Sequence, residues 1–131
     1  MKNYIGTKKV KAEKMSRLAY CELRGWELPA NENPNDIVYL VEYAAEENNP
    51  SNHKDYKGYI TMSPESVFEK SYKIADDYKD RLLIEYCDLN EKVIALTSAL
   101  DNNEVPNSLI KILSIQLDQM KAYRDTLVKR M

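Results

Sequence analysis

The spacing of apolar positions changes once along the chain, near residue 73. Before that point the pattern is mixed. The run "IVYLVEY" (Ile37 to Tyr43) is rich in β-branched and aromatic residues and predicts a strand. "YIGTKKVKA" (Tyr4 to Ala12) is β-rich with a polar outer side and predicts an edge strand. Between them, "EKMSRLAYCELR" (Glu13 to Arg24) sets Met15, Leu18, Ala19 and Cys21 on one side of a short helix, with Gly25 as its stop. "NENPND" and "AAEENNPSNHKDYK" are polar loops, and "GYITM" is a further short strand. In "SPESVFEKSYK", Ser63 is expected as N-cap and Pro64 as the first helical residue, with Val67, Phe68 and Tyr72 as the apolar side.

From Ile74 onward the period is helical. Ala75, Tyr78, Leu82, Tyr86, Leu89, Val93, Leu96 and Leu100 form one seam at three-four spacing. "DNNEVPNS" breaks it, and a second helix runs from Ser108 to the end. Its stripe is Ile110, Leu113, Leu117, Met120, Leu127 and Met131, with Leu109, Ile112, Ile115 and Tyr123 around it. The expected fold is α+β: a small antiparallel sheet with short helices (residues 1–73), then a long antiparallel helical hairpin (residues 74–131). A lone hairpin has little interior. The surplus apolar surface of its second helix therefore predicts packing against the sheet module and against another copy, hence a homo-oligomer.

Composition narrows the function. With 19 basic and 21 acidic residues among 131, there is no basic surplus for a nucleic-acid polymer. Cys21 and Cys87 stand far apart without metal-type spacing and are read as reduced, partly buried thiols. No stretch resembles a signal peptide or approaches the about 18 apolar residues of a membrane span, so a soluble intracellular protein is expected.

Catalytic motifs are absent: the three scattered glycines make no phosphate loop, and neither GxSxG nor HExxH occurs. The sole histidine, His53, lies in a polar loop, where a solvated or locally bonded ring is the ordinary outcome. Binding chemistry is better represented. In "LRGWELP" the only tryptophan, Trp26, follows Arg24 and a helix-ending glycine. Trp26 either covers one edge of the core while Arg24 caps the helix, or stacks on a purine while Arg24 pairs with phosphate. Asn52 either makes a turn or reads hydroxyls through its amide. Arg124 interrupts the apolar stripe of the last helix and needs a partner, a subunit boundary or an anion; Lys121 shares its face.

Three segments resemble the N-terminal module of small phage proteins: "YIGTKKVKAEKM", "RGWELPANENPNDIVYLVEY" and "NHKDYKGYITMSPESVFEKSY". "YKDRLLIEYCDLNEKVIALTSAL" and "QLDQMKAYRDTLVKRM" resemble the helical hairpin that follows it. Together they are similar to phage Thoeris anti-defence proteins of the first described type, and the hairpin is similar to that of phage anti-CBASS nucleotide sponges. The resemblance implies capture, without catalysis or cofactor, of the cyclic ADP-ribose isomer (gcADPR) made by bacterial TIR-domain enzymes. It also implies a homo-oligomer, dimer or hexamer, in the cytoplasm of the infected host. Some relatives hold cyclic di- or trinucleotides at a separate site. A compact dianion with a purine and riboses asks for an aromatic face, cations and hydroxyl-reading amides. Arg24, Trp26, Asn52 and His53 supply these types. Phe68 and Tyr72 are expected to complete the wall, and Lys121 or Arg124 to approach from the hairpin. Two positions depart from the family pattern: Met62 replaces an aromatic and Val38 replaces a glycine.

Overall fold

The computed structural model describes all 131 residues. The chain is α+β and divides into an N-terminal unit, Met1–Tyr72, and a C-terminal unit, Lys73–Met131.

The N-terminal unit is built on three antiparallel strands in the order β1 (Lys11–Ser16), β2 (Ile37–Tyr43), β3 (Tyr59–Pro64). β2 is central, which is why its residues are apolar on both faces. Val38 and Leu40 point to one face, where they pack with Tyr20 and Ile60. Met15, Leu23, Tyr56 and Met62 close around that cluster. The helix α1 (Arg17–Arg24) supplies Tyr20 and Leu23 to it. Tyr39 and Val41 point to the opposite face, and Tyr39 stacks on Phe68 of α2 (Glu65–Ser71) with ring centroids 4.2 Å apart. At Gly58 a side chain would run into the carbonyl of Tyr43, so the approach of β3 to β2 requires glycine there.

Two expected boundaries move. The first strand is Lys11–Ser16, not Tyr4–Ala12, because its length is set by its register on β2, from Lys11 opposite Glu42 to Ser16 opposite Ile37. The helix expected from Glu13 accordingly starts at Arg17, with Ser16 Oγ accepting from the Ala19 amide at 3.1 Å. Ser63 is not an N-cap. It pairs with Tyr39 in the β2–β3 ladder, and α2 begins behind Pro64 without a side-chain cap. Gly25 does end α1: at φ 71° it is left-handed, and the Gly25 and Trp26 amides donate to the Glu22 and Cys21 carbonyls at 3.1 and 2.8 Å.

The C-terminal unit is a pair of helices, α3 (Tyr78–Asp101) and α4 (Ile110–Arg130), joined through a 3-10 turn at Asn107–Leu109. The first helix starts at Tyr78 rather than Ile74, since Asp77 and Asp80 form a reciprocal capping box. Ala75 therefore lies outside the helical seam, and Tyr78 is half-exposed, with its hydroxyl accepting from Arg130 Nε at 2.9 Å. Leu82, Val93, Leu117 and Leu127 are the buried residues of the pair, while Leu83, Ile94, Ile112, Ile115 and Tyr123 stay exposed. Cys21 is buried, Cys87 half-buried, and both are free thiols. No helix is long and apolar enough to cross a membrane.

Candidate functional site

A cleft of about 590 Å³ lies in the N-terminal unit between α1, the 25–36 loop and the outer edge of β3. α1 presents Arg17, Tyr20, Cys21 and Arg24 to it, a set spaced three, four and seven residues apart and so on one helical face. The loop adds Trp26 and Glu32.

The Gly25 cap decides where Trp26 goes. By reversing the chain at the end of α1, it returns the indole over the helix's last turn. The Arg24 guanidinium lies over the Trp26 ring at 4.3 Å, and Tyr20 meets the same ring edge-on at 6.1 Å. Arg24 Nη1 donates to the Tyr20 hydroxyl at 3.0 Å and to the Ile60 carbonyl at 3.4 Å. The ion pairs of this unit join Lys14 to Glu65 and Glu69, and Arg17 to Glu32. None engages Arg24, so its charge is held in place by neutral acceptors. Trp26 itself is 54% exposed. A flat group entering the cleft thus meets an aromatic ring with a cation already stacked on it. Both halves of the functional reading of "RGW" are side by side, and the covering of Tyr20 by Trp26 realises part of the structural reading as well.

The helix N-terminus is not the anion-binding element here. Its first amides are already used: Arg17 N–H donates to Asp36 O at 2.8 Å, Leu18 N–H to Pro34 O at 3.2 Å, and Ala19 N–H to Ser16 Oγ. Side-chain guanidinium groups remain as the cleft's cationic donors.

Asn52 lines the cleft, but its amide is occupied. Oδ1 accepts from the Ile60 amide at 2.7 Å and Nδ2 donates to the Ile60 carbonyl at 2.8 Å. It takes the place of a neighbouring strand on the free edge of β3. His53 is not among the lining residues. Its Nε2 donates to Leu23 O at 3.1 Å while Nδ1 accepts from the Asp55 amide at 3.1 Å, which ties the loop to the end of α1 and requires the tautomer protonated at Nε2. The ring also meets Tyr56 edge-on.

Phe68 and Tyr72, expected to complete the wall, lie on the other face of the sheet. They stack with centroids 4.8 Å apart, in line with the Tyr39–Phe68 pair. The Tyr39 hydroxyl there donates to Glu69 at 2.8 Å, and Lys14 pairs with Glu65 at 2.8 Å. The hydrogen bond to Glu69 raises the Tyr39 pKa, and that to Glu65 raises the Lys14 pKa. Burial raises those of Tyr43 and Tyr56. The segment's apolar spacing located α2, but which sheet face α2 covers depends on the path of the chain after β3.

Lys121 and Arg124 belong to the C-terminal unit. They line a separate open groove of about 450 Å³ between α3 and α4, with Val93, Ile94, Thr97 and Asp101. Arg124 Nη1 donates to Asn90 Oδ1 at 3.0 Å and is half-buried, so its partner is neutral. Met62, the position where the family pattern has an aromatic, lines the N-terminal cleft beside Ile60. Sequence reasoning passed over Arg17 and Glu32, which pair at 2.9 Å on the cleft wall. The seven-residue interval from Arg17 to Arg24 was the signal available for the first of them.

The cleft of the N-terminal unit thus brings an aromatic ring and two arginines together in a volume within the range of small-molecule sites. Residues 76–131, nearly all of the C-terminal unit, match the Sequestin family. No curated protein and no solved structure gives a match to the chain.

Proposed function

We propose that this protein captures the cyclic ADP-ribose isomer made by TIR-domain enzymes of bacterial Thoeris defence and holds it without turnover. The Arg24–Trp26 stack at a cleft of about 590 Å³ carries the reading. The volume falls within the range of small-molecule sites, roughly 300–1,000 Å³. The purine stacks on the exposed part of the indole, and the diphosphate is drawn to the Arg24 guanidinium, which forms no ion pair with a carboxylate. Both side chains are held by neighbours before ligand arrives, so little freedom is lost on binding, and a bound dianion leaves slowly. The Sequestin match of the hairpin, a family name that denotes sequestration, supports capture as the activity. So does the similarity of the N-terminal segments to phage anti-defence proteins. A sponge works stoichiometrically, in the cytoplasm of the infected cell where the signal is made.

The exposed apolar residues of the hairpin, Ile112, Ile115 and Tyr123 among them, support a homo-oligomer. A second reading draws on the other groove. Lys121 and Arg124 beside Thr97 on α3 suit the phosphates of a cyclic di- or trinucleotide.

One experiment tests these readings together. The protein is incubated with the TIR product or with cyclic oligonucleotides, freed of excess, heat-denatured, and the released material identified. Intact cyclic ADP-ribose isomer is the expected result. Altered ligand would mean an enzyme, a released cyclic oligonucleotide would establish the second reading, and an empty protein would leave a structural role for the aromatics.

A further inference from the structure

The cleft has a second polar end, two helical turns from Arg24. Arg17 precedes Arg24 by seven residues on the same face of α1, about 10 Å along the axis. Arg17 Nη1 donates to Glu32 Oε2 at 2.9 Å. Glu32 is positioned by the loop's own turns: its amide donates to Pro29 O at 3.0 Å, and the Asn33 side chain accepts from the Asn35 amide at 2.9 Å. The Pro34 and Asp36 carbonyls fasten that loop to the first turn of α1.

One valence remains open at the cleft wall. Glu32 Oε2 is taken by Arg17, while Oε1 takes no hydrogen bond, and the side chain is partly exposed in the cleft. A carboxylate oxygen is an acceptor only. A phosphate, which brings no proton and carries like charge, would be repelled by it. A hydroxyl donates to it. The two ends of the cleft therefore differ in kind: Arg24 and Trp26 suit an anion and a flat ring, while Glu32 suits a sugar hydroxyl.

We propose that Glu32, held by Arg17 as a positioning residue, is the sugar-reading group of the cleft and accepts a hydrogen bond from a ribose hydroxyl of the bound nucleotide. This rests on the cyclic ADP-ribose reading above and adds the residue that separates nucleotides with free ribose hydroxyls from other anions of similar size.

The test is calorimetric titration of the full chain with the cyclic ADP-ribose isomer made by TIR-domain enzymes, comparing wild type, Glu32→Ala and Glu32→Gln, with thermal melting to show that each is folded. Glu32→Ala is expected to weaken binding tenfold or more. Glu32→Gln, whose side-chain carbonyl still accepts a hydroxyl, recovers part of that loss. A loss under tenfold in Glu32→Ala would overturn the proposal. So would equal losses in both variants, which would make the pair merely structural. No heat from wild type would instead remove the cyclic ADP-ribose reading itself, and the assignment of Glu32 with it.

Discussion

Asn52 closes both backbone valences of Ile60: its Oδ1 accepts from the Ile60 amide and its Nδ2 donates to the Ile60 carbonyl, at 2.7 and 2.8 Å. The unit's outer strand is thereby sealed by a side chain, and the floor of the cleft is fixed. Replacing Asn52 by Ala leaves two polar groups without a protein partner or with a weaker one. A loss of about 1–3 kcal/mol is expected, read as a lowered denaturant midpoint. Asn52→Asp should be no better near neutral pH, because a carboxylate accepts from the amide but faces the carbonyl with like charge. A midpoint unchanged in both variants would refute the sealing role.

Trp26 is the chain's only tryptophan and half of it is exposed, so its emission reports directly on the cleft. Adding the captured nucleotide should quench or shift that emission. Trp26→Ala and Arg24→Ala should each cut ligand retention by tenfold or more. Neither removes a fully buried side chain, so each should lower stability by about 1 kcal/mol or less. Retention equal to wild type in both would assign the stack to packing alone.

Four groups spread over both faces of the sheet carry the unit's alkaline sensitivity. Tyr39 is raised by its hydrogen bond to Glu69 and Lys14 by its bond to Glu65. Tyr43 and Tyr56 are raised by burial. A group whose pKa is raised on folding binds its proton more tightly in the folded state. Its contribution is complete below the unfolded value, about 10 for these groups, and is lost as pH rises through the folded value. Stability should therefore be insensitive to these four groups near neutral pH and fall above about pH 10. Tyr39→Phe should shallow that fall. Denaturant melts at stepped pH, alongside tyrosinate absorbance, measure both.

In the hairpin, Leu127 is fully buried and Leu117 nearly so, though few other residues are. Truncation to Ala at either site should cost about 2–5 kcal/mol. By contrast, Ile112→Ala and Ile115→Ala remove exposed side chains. They should leave secondary structure intact and, in the proposed homo-oligomer, shift the mass measured by light scattering toward the monomer. An unchanged mass in the double variant would separate this face from any assembly.

Several features of the protein are local and could be read from the chain itself. The bounds of β2, the Gly25 stop, the two long helices and the break between them each depend on residues within a turn or two of one another. Periodicity, capping and φ preference act at that range. The adjacency of Arg24 and Trp26 also follows locally, since the glycine cap returns the chain over the helix end. Tertiary structure decided the rest. The true limits of β1 come from its partner strand, because a strand ends where its ladder ends. Asn52 and His53 were legible as polar loop residues, yet their bonds run to Ile60 and Leu23 on other elements. Phe68 and Tyr72 went to the far face with Tyr39, and Arg17 met Glu32 across the loop. A side chain's type sets what it can bind, but the groups that claim its valences first are brought to it by the fold.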